Sequence, residues 1–564
     1  MPLAARSNKV TFPTVIHSQV DPAAVTKVTR LFNNTIEDVL AELIQNARRA
    51  NASTVKLTVT AADGIAQLSI ADDGSGIADP SVVLALGRSG WNDSIARRED
   101  PAGMGVFSLA GRHALIRSCP NTTGEGWQFE IAPEAWEDGR AIAVDPCARP
   151  RGTEIVVALD TSWANALDRA ARNAARHCPI RVHLNGERLE PQDWLAGAKA
   201  VFEENGVRIG VFDDHRANRD SASINFHGVT VPGALPSIAE SDVSWCVRVD
   251  IVDAPELQLV LPARKEMIEN DALRQLRRNA TRAIYRHIQK RASHRLPFEH
   301  WAEAEKLGVY LPEARPELIE WAPATADPHN GITRSKLTSI DELLIVESFA
   351  PPIEQCAHFA LDRDARFAGR LASLDPKMEG YSWYDRLSRI TGMAFEIERA
   401  GETFRYDETN LPGVEGGLVD RLDLVITVAG TTPETVTIPA PVMIEYDEGS
   451  FWTVDDANVV LTSREAITPA ELVDLLEGAC FSSSDDRDAD SWDTQRDRFL
   501  LDAREIATRI LMGDDAAILE RLRAVLAHRV QWFVPEGRKL YASIGRDTLE
   551  LDIDPSEPID AVQL

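Results

Sequence analysis

The stretch from Ser53 to Ile77, "STVKLTVTAADGIAQLSIADDGSGI", constrains the fold more than any other part of the chain. Val55, Leu57 and Val59 alternate with polar partners, Asp63-Gly64 supplies a turn, and Leu68 and Ile70 return. Period-two alternation about an Asp-Gly dipeptide predicts a β-hairpin with one apolar face. A lone hairpin is marginal in water, so that face needs a cover. The preceding residues supply one. Asp21-Pro22 marks a helix start, with Pro at the first helical position. Asn33 and Asn34 break the helical pattern of residues 22–50 in two, and the second helix starts near Thr35, with Asp38 three residues on. Its segment "AELIQNARRANAS" sets Leu43, Ile44, Ala47 and Ala50 on one side and Glu42, Asn46 and Arg49 on one polar stripe, at steps of four and three.

The remainder extends this pattern. Residues 81–112 form a Gly-rich, charged stretch running into "GVFSLAGRHALI", which reads as a helix, and "WQFEIAP", "AIAVDP" and "GTEIVVAL" read as strands. Residues 1–162 are thus expected to be an α+β domain, helices over a mixed, mostly antiparallel sheet. A second α/β domain is expected over 163–296, with four strands and a closing helix, "DALRQLRRNATRAIYRHIQKRASHR". That helix carries a basic stripe, Arg274, Arg278, Arg282, Arg286 and Lys290, which reads either as a solvated face or as a contact for nucleic acid or another anionic partner. Residues 297–334 are Pro-rich and read as a linker, and 335–564 as an acidic α+β region with a mobile loop at 482–497.

Charge separates the two halves. The chain has 564 residues and a net charge of −28, of which residues 1–300 contribute −2 and residues 301–564 contribute −26. The acidic half repels a phosphate backbone, which excludes non-specific DNA binding there and suits a protein partner. No apolar run approaches the roughly 20 residues of a membrane span. The first residues lack the apolar core of a secretory signal, and six scattered cysteines form no CxxC pair. A cytoplasmic protein without a membrane partner, disulfide framework or structural zinc is the expectation.

Four short patterns carry chemistry. On the first helix, Asn46 offers a hard amide oxygen of the kind Mg²⁺ accepts, and Glu42 stands one turn earlier, where a carboxylate could deprotonate water. "ADDGSGI" ends a strand with Asp72-x-Gly74-x-Gly76, a carboxylate able to accept from an adenine amine beside glycines that let a ligand approach the backbone. Asp73 is the rival, and the register of the spaced glycines favours Asp72. "PAGMGVFSLAG" puts Gly103 and Gly105 before the expected helix, where free amides can cradle phosphate, after a stretch from Gly87 that suits a closing lid. "RGTEIVVAL" opens a strand with Thr153, whose hydroxyl could bond adenine or a bridging water.

In this order, the four patterns resemble the GHKL ATPases: gyrase B subunits, heat-shock chaperones of that group, sensor histidine kinases and MutL mismatch-repair proteins. The resemblance covers about residues 30–160 and implies a Bergerat fold binding ATP and Mg²⁺. By position it implies Glu42 as general base, Asn46 as magnesium ligand and Asp72 as the adenine-reading carboxylate. It further implies Gly74 and Gly76 as the second glycine motif, Gly103 and Gly105 as lid glycines, and Thr153 as the late threonine. One position departs. Hydrolysing branches usually carry Asp three residues after the Asn, whereas this chain has Arg49, as some histidine kinases have a basic residue; it reads as a phosphate contact. The second domain resembles the ribosomal-S5-like transducer of the gyrase, MutL and type IIB topoisomerase branch, which implies that Lys265, with Arg264 as rival, reaches the terminal phosphate. No EGDS-like stretch or DQHA(x)₂E(x)₄E-like metal motif is seen, and His17 lies on no convincing helix. The expectation is an ATPase that dimerises on ATP binding and acts chaperone-like on protein partners, with an ATP-gated DNA clamp as the alternative and a histidine-kinase-like phosphotransferase as the weakest.

Overall fold

The computed structural model describes residues 35–554, apart from 63–64, 86–105, 123, 137–140, 214–221, 242, 261–265, 328, 330–336, 340–341, 412, 431–432, 447–453 and 485. The chain forms two units, Met1–Ala314 and Arg315–Leu564.

The first unit opens with helix α1 (Ile36–Arg49), capped by the Thr35 hydroxyl, which accepts from the Asp38 amide. The hairpin follows as β1 (Thr54–Ala62) and β2 (Ile65–Asp72), with Leu57 opposite Ile70, Val59 opposite Leu68 and Ala62 opposite Ile65. Strands β3 (Ala114–Cys119), β4 (Gly126–Ile131), β5 (Asp145–Cys147) and β6 (Gly152–Ala158) lead to helix α2 (Thr161–Ala175), β7 (Arg181–Leu184) and β8 (Glu187–Leu189). One eight-stranded sheet results, in the order β5-β4-β3-β6-β2-β1-β7-β8. Its pairs are antiparallel except for β1 with β7. Leu40, Leu43 and Ile44 of α1 and Leu167 and Ala171 of α2 pack with Leu57, Leu68, Ile116 and Val157 in one core. The fold class is α+β, a layer of helices over a mixed sheet.

Three boundaries differ from the sequence expectation. The first module runs past residue 162, because β7 pairs with the free edge of β1 and places Val182 and Leu184 in the same core. "GVFSLAGRHALI" is not one helix: Val106–Leu109 is a 3-10 turn, and Ala114 and Ile116 bury one face of strand β3. Residues 297–314 are no bare linker, since Phe298–Lys306 is a helix.

The second module holds β9 (Ala200–Glu204), β10 (Val207–Phe212), β11 (Ile224–Phe226), β12 (Val229–Val231), β13 (Ser237–Glu240) and β14 (Val243–Ile251), in the order β12-β11-β14-β10-β9 with β13 beside β14. Helix α3 (Asp271–Gln289), capped by Asn270, buries Leu273, Leu276, Ala280, Ala283, Ile284 and Ile288 in this module's core. Helix α4 (Phe298–Lys306) adds Ala304 to the same core, followed by Val309 and Leu311. The Tyr285 hydroxyl donates to Glu303 at 2.5 Å and ties α3 to α4.

The second unit contains β15 (Leu318–Ile319), β16 (Leu337–Thr338), β17 (Leu344–Val346), α5 (Pro351–Leu361), β18 (Leu371–Ser373), β19 (Ser388–Arg399), β20 (Glu402–Tyr406), β21 (Gly417–Leu418), β22 (Arg421–Ala429), β23 (Glu434–Pro439), β24 (Val442–Glu445) and β25 (Asn458–Leu461). Helices α6 (Pro469–Cys480), α7 (Trp492–Met512) and α8 (Asp514–Arg529) follow. The main sheet runs β18-β17-β19-β22-β23, with β20 also on β19, and α5, α6 and α7 share its core. Trp321, in the stretch expected to be a linker, is buried there as well. Among the described residues, no helix is long and apolar enough to cross a membrane.

Candidate nucleotide site

The polar stripe of α1 is partly buried. Arg49 is 5 % exposed, in the last turn of a helix that packs its other face into the core. Long helical side chains run back toward the helix N-terminus. The Arg49 guanidinium does so, donating to Asn46 Oδ1 at 2.9 Å and lying 3.8 Å from Glu42 Oε1. The sequence expectation is met in that the three residues converge. It differs in that Arg49 bridges the other two. Asn46 and Glu42 supply oxygen donors of a kind Mg²⁺ takes, but the amide oxygen already accepts from a permanent cation. As arranged, this set does not fit a divalent ion.

The second half of the site lies at the end of β2. Both hydrogen bonds to Asp72 fall on one oxygen, Oδ1, from the amides of Gly74 at 2.8 Å and Thr153 at 3.3 Å. Burial pushes the Asp72 carboxyl up from the ordinary aspartate value, although these amides and nearby Arg149 pull the other way. Asp73, the rival, is committed elsewhere: its Oδ1 accepts from the amides of Ser53 at 2.7 Å and Thr54 at 2.9 Å, and its Oδ2 from the Ser53 hydroxyl at 2.6 Å. It clamps the start of β1.

The glycines are forced by close approaches. A Cβ on Gly74 would lie 2.7 Å from the Ala50 Cβ, and the neighbouring Ser75 amide donates to the Ala50 carbonyl at 2.8 Å, so this loop is held against the end of α1. Gly76 has φ +71° and would put a Cβ 2.4 Å from the Cys119 carbonyl oxygen.

Ser118 escaped the sequence expectation. Its buried hydroxyl accepts from the Ile77 amide at 2.8 Å and lies 3.0 Å from Thr153 Oγ1, joining β3, β6 and the glycine loop. A serine in the apolar strand "ALIRSC" was its one signal in the sequence.

Gly103, Gly105, Lys265 and the rival Arg264 lie outside the described residues, as do His17 and the whole of the expected lid. The basic stripe of α3 is drawn partly onto its own module. Arg282 and Arg286 approach Glu204 at 3.6 and 4.0 Å, Lys290 lies over the Phe202 ring, and Arg274 pairs with Asp271 at 2.5 Å.

Residues 34–120 match the family model described as histidine kinase-, DNA gyrase B- and HSP90-like ATPase. The DNA mismatch repair protein MutL of Rhodopseudomonas palustris (strain ATCC BAA-98 / CGA009) is 28 % identical over 231 residues, which are 36 % of this chain and 38 % of that protein. MutL of Anaeromyxobacter dehalogenans (strain 2CP-C) is 30 % identical over 151 residues, 25 % of this chain and 24 % of that protein. The chain thus matches well under half the length of these curated relatives. Among solved structures, the ATPase region of Saccharomyces cerevisiae topoisomerase II is 9 % identical at a TM-score of 0.30, covering 41 % of this chain and 76 % of that one. Residues 34–120 thus resemble the GHKL ATPase superfamily, and the MutL relatives point the same way. ATP is the nucleotide of that superfamily, and ATPase activity is its general chemistry.

Proposed function

We propose that the chain is an ATP-hydrolysing conformational machine whose first module, residues 35–189, holds the nucleotide. The observation that carries this is Asp72: a desolvated carboxylate with both structural hydrogen bonds on Oδ1, beside a glycine loop and Thr153. Its Oδ2 accepts the adenine amine, and Thr153 with Ser118 orders the base. Glu42 takes a proton from water as the oxygen attacks the terminal phosphorus, and ADP leaves. Gly103 and Gly105 cradle phosphate in the closing lid, and Lys265 engages the terminal phosphate. The Mg²⁺ implied by the resemblance is given no step, because Arg49 occupies the donors it would use.

For the biological role, the names of the MutL relatives favour an ATP-gated clamp in DNA transactions over a chaperone-like role on protein partners. The acidic second unit supports the protein-partner reading, and both are served by a cytoplasmic homodimer that closes on ATP. Two measurements test this. Glu42→Ala should lose hydrolysis, by about 10²-fold or more, while retaining affinity for a non-hydrolysable ATP analogue; unchanged turnover removes Glu42 as base. Duplex DNA at low salt should stimulate wild-type turnover, and its failure to do so leaves the protein-partner role.

A further inference from the structure

We infer that Arg49 is a resident cation standing where this site would otherwise hold a divalent metal, so that the chain binds ATP without a metal ion. The inference rests on the ATP-site reading above and deepens it. Three observations lead to it. The Arg49 nitrogen Nη1 contacts both oxygen donors of the stripe, Asn46 Oδ1 at 2.9 Å and Glu42 Oε1 at 3.8 Å. The side chains of Arg49 and Glu42 are 4 % and 13 % exposed, so water screens the pair little. A guanidinium carries five N–H donors in a rigid planar fork and no acceptor.

A Mg²⁺ ion bound by Asn46 would need that oxygen at about 2.0–2.1 Å. It would then sit beside a fixed positive charge on the same atom, in surroundings where like charges repel strongly. The guanidinium meets the same need with less demand on geometry. It neutralises Glu42, polarises the Asn46 amide and presents a planar set of donors suited to phosphate oxygens. Arg49 is therefore a positioning residue for the phosphates and the determinant of metal independence.

The test is calorimetric titration of the full chain with a non-hydrolysable ATP analogue, with Mg²⁺ and then with EDTA. Wild type should bind with affinities within about threefold of each other. In Arg49→Asp, removal of the cation and gain of a carboxylate should make binding metal-dependent, with affinity at least about tenfold lower in EDTA than in Mg²⁺. Arg49→Lys keeps the charge and should stay metal-independent, which separates charge from packing. Wild-type binding in Mg²⁺ that falls tenfold or more in EDTA overturns the inference and leaves the ATP site standing. Absence of binding under both conditions overturns the ATP site and the inference together. Because the wild-type comparison decides by itself, a variant that fails to fold does not shelter the idea.

Discussion

Two neighbouring carboxylates at the end of β2 show how one residue step changes what a side chain is bonded to and which way its ionisation is shifted. Asp73 accepts three hydrogen bonds from Ser53 and Thr54, and its carboxyl is held below the ordinary value despite some burial. Asp72 is shifted the other way, chiefly by desolvation. A carboxyl whose folded value is raised favours the native state most when protonated. That contribution is complete below the ordinary aspartate range and is lost as pH rises through the folded value. Ionisation of Asp72 is therefore disfavoured in the folded protein. Asp72→Asn keeps Oδ1 for the Gly74 and Thr153 amides. It should thus melt no lower than wild type at pH 7, with the difference shrinking as pH falls toward about 4, while affinity for the ATP analogue is lost. Thermal scans across pH, paired with titration, check both halves. A markedly lower melting temperature at neutral pH would show that the ionised carboxylate supports the fold.

Among the elements, α1 is held from two sides. The glycine loop closes against its C-terminal end through Gly74 and the Ser75–Ala50 hydrogen bond. Gln45, on the same helix, donates to the His227 carbonyl in the turn between β11 and β12, linking α1 to the second module. A change at either contact is therefore felt by the stripe. Gly76→Ala tests the loop side. It forces a Cβ into the left-handed region and against the Cys119 carbonyl, and should cost about 1–3 kcal/mol. Nucleotide affinity should fall with stability, because Ile77, the next residue, is bonded to Ser118. Chemical denaturation of Gly76→Ala should show a lower midpoint with unchanged slope; equal midpoints would mean that the loop relaxes freely.

For the whole molecule, the charge asymmetry coincides with the two units, since nearly all the net negative charge lies in the second. Despite this, the second unit is held in part by a buried carboxylate. Asp327 is 1 % exposed and accepts from the His329 amide at 2.8 Å, the Ser483 amide at 3.1 Å and the Trp492 indole at 2.9 Å. Burial alone would raise its carboxyl, but these donors outweigh it and hold it below the ordinary value. A lowered carboxyl adds stability that is present above the unfolded value and lost as pH falls through the folded one. Asp327→Asn can turn an NH₂ group toward two buried donors, which should cost about 1–3 kcal/mol for each one left without an acceptor. The gap between wild type and Asp327→Asn in urea denaturation should be widest near pH 7 and narrow below about pH 4. A gap independent of pH would assign the loss to packing.

Local sequence was enough to specify the hairpin, the capped amphipathic helix before it, and the common stripe of Glu42, Asn46 and Arg49. These rest on local periodicity and turn chemistry, both of which lie within a few residues of each other. Contacts between distant parts of the chain were not legible in this way. Strand β7 joins the first sheet because an open edge of β1 must be paired, although about 120 residues separate them in the chain. The 297–314 stretch folds because α3 has apolar surface left to cover. Ser118 enters the site because two strands and the glycine loop meet there. The stripe on α1 was legible as a set of residues, but not its wiring. Whether Arg49 reaches outward to a ligand or back to Asn46 depends on how deeply the helix is buried, and burial is a property of the whole fold.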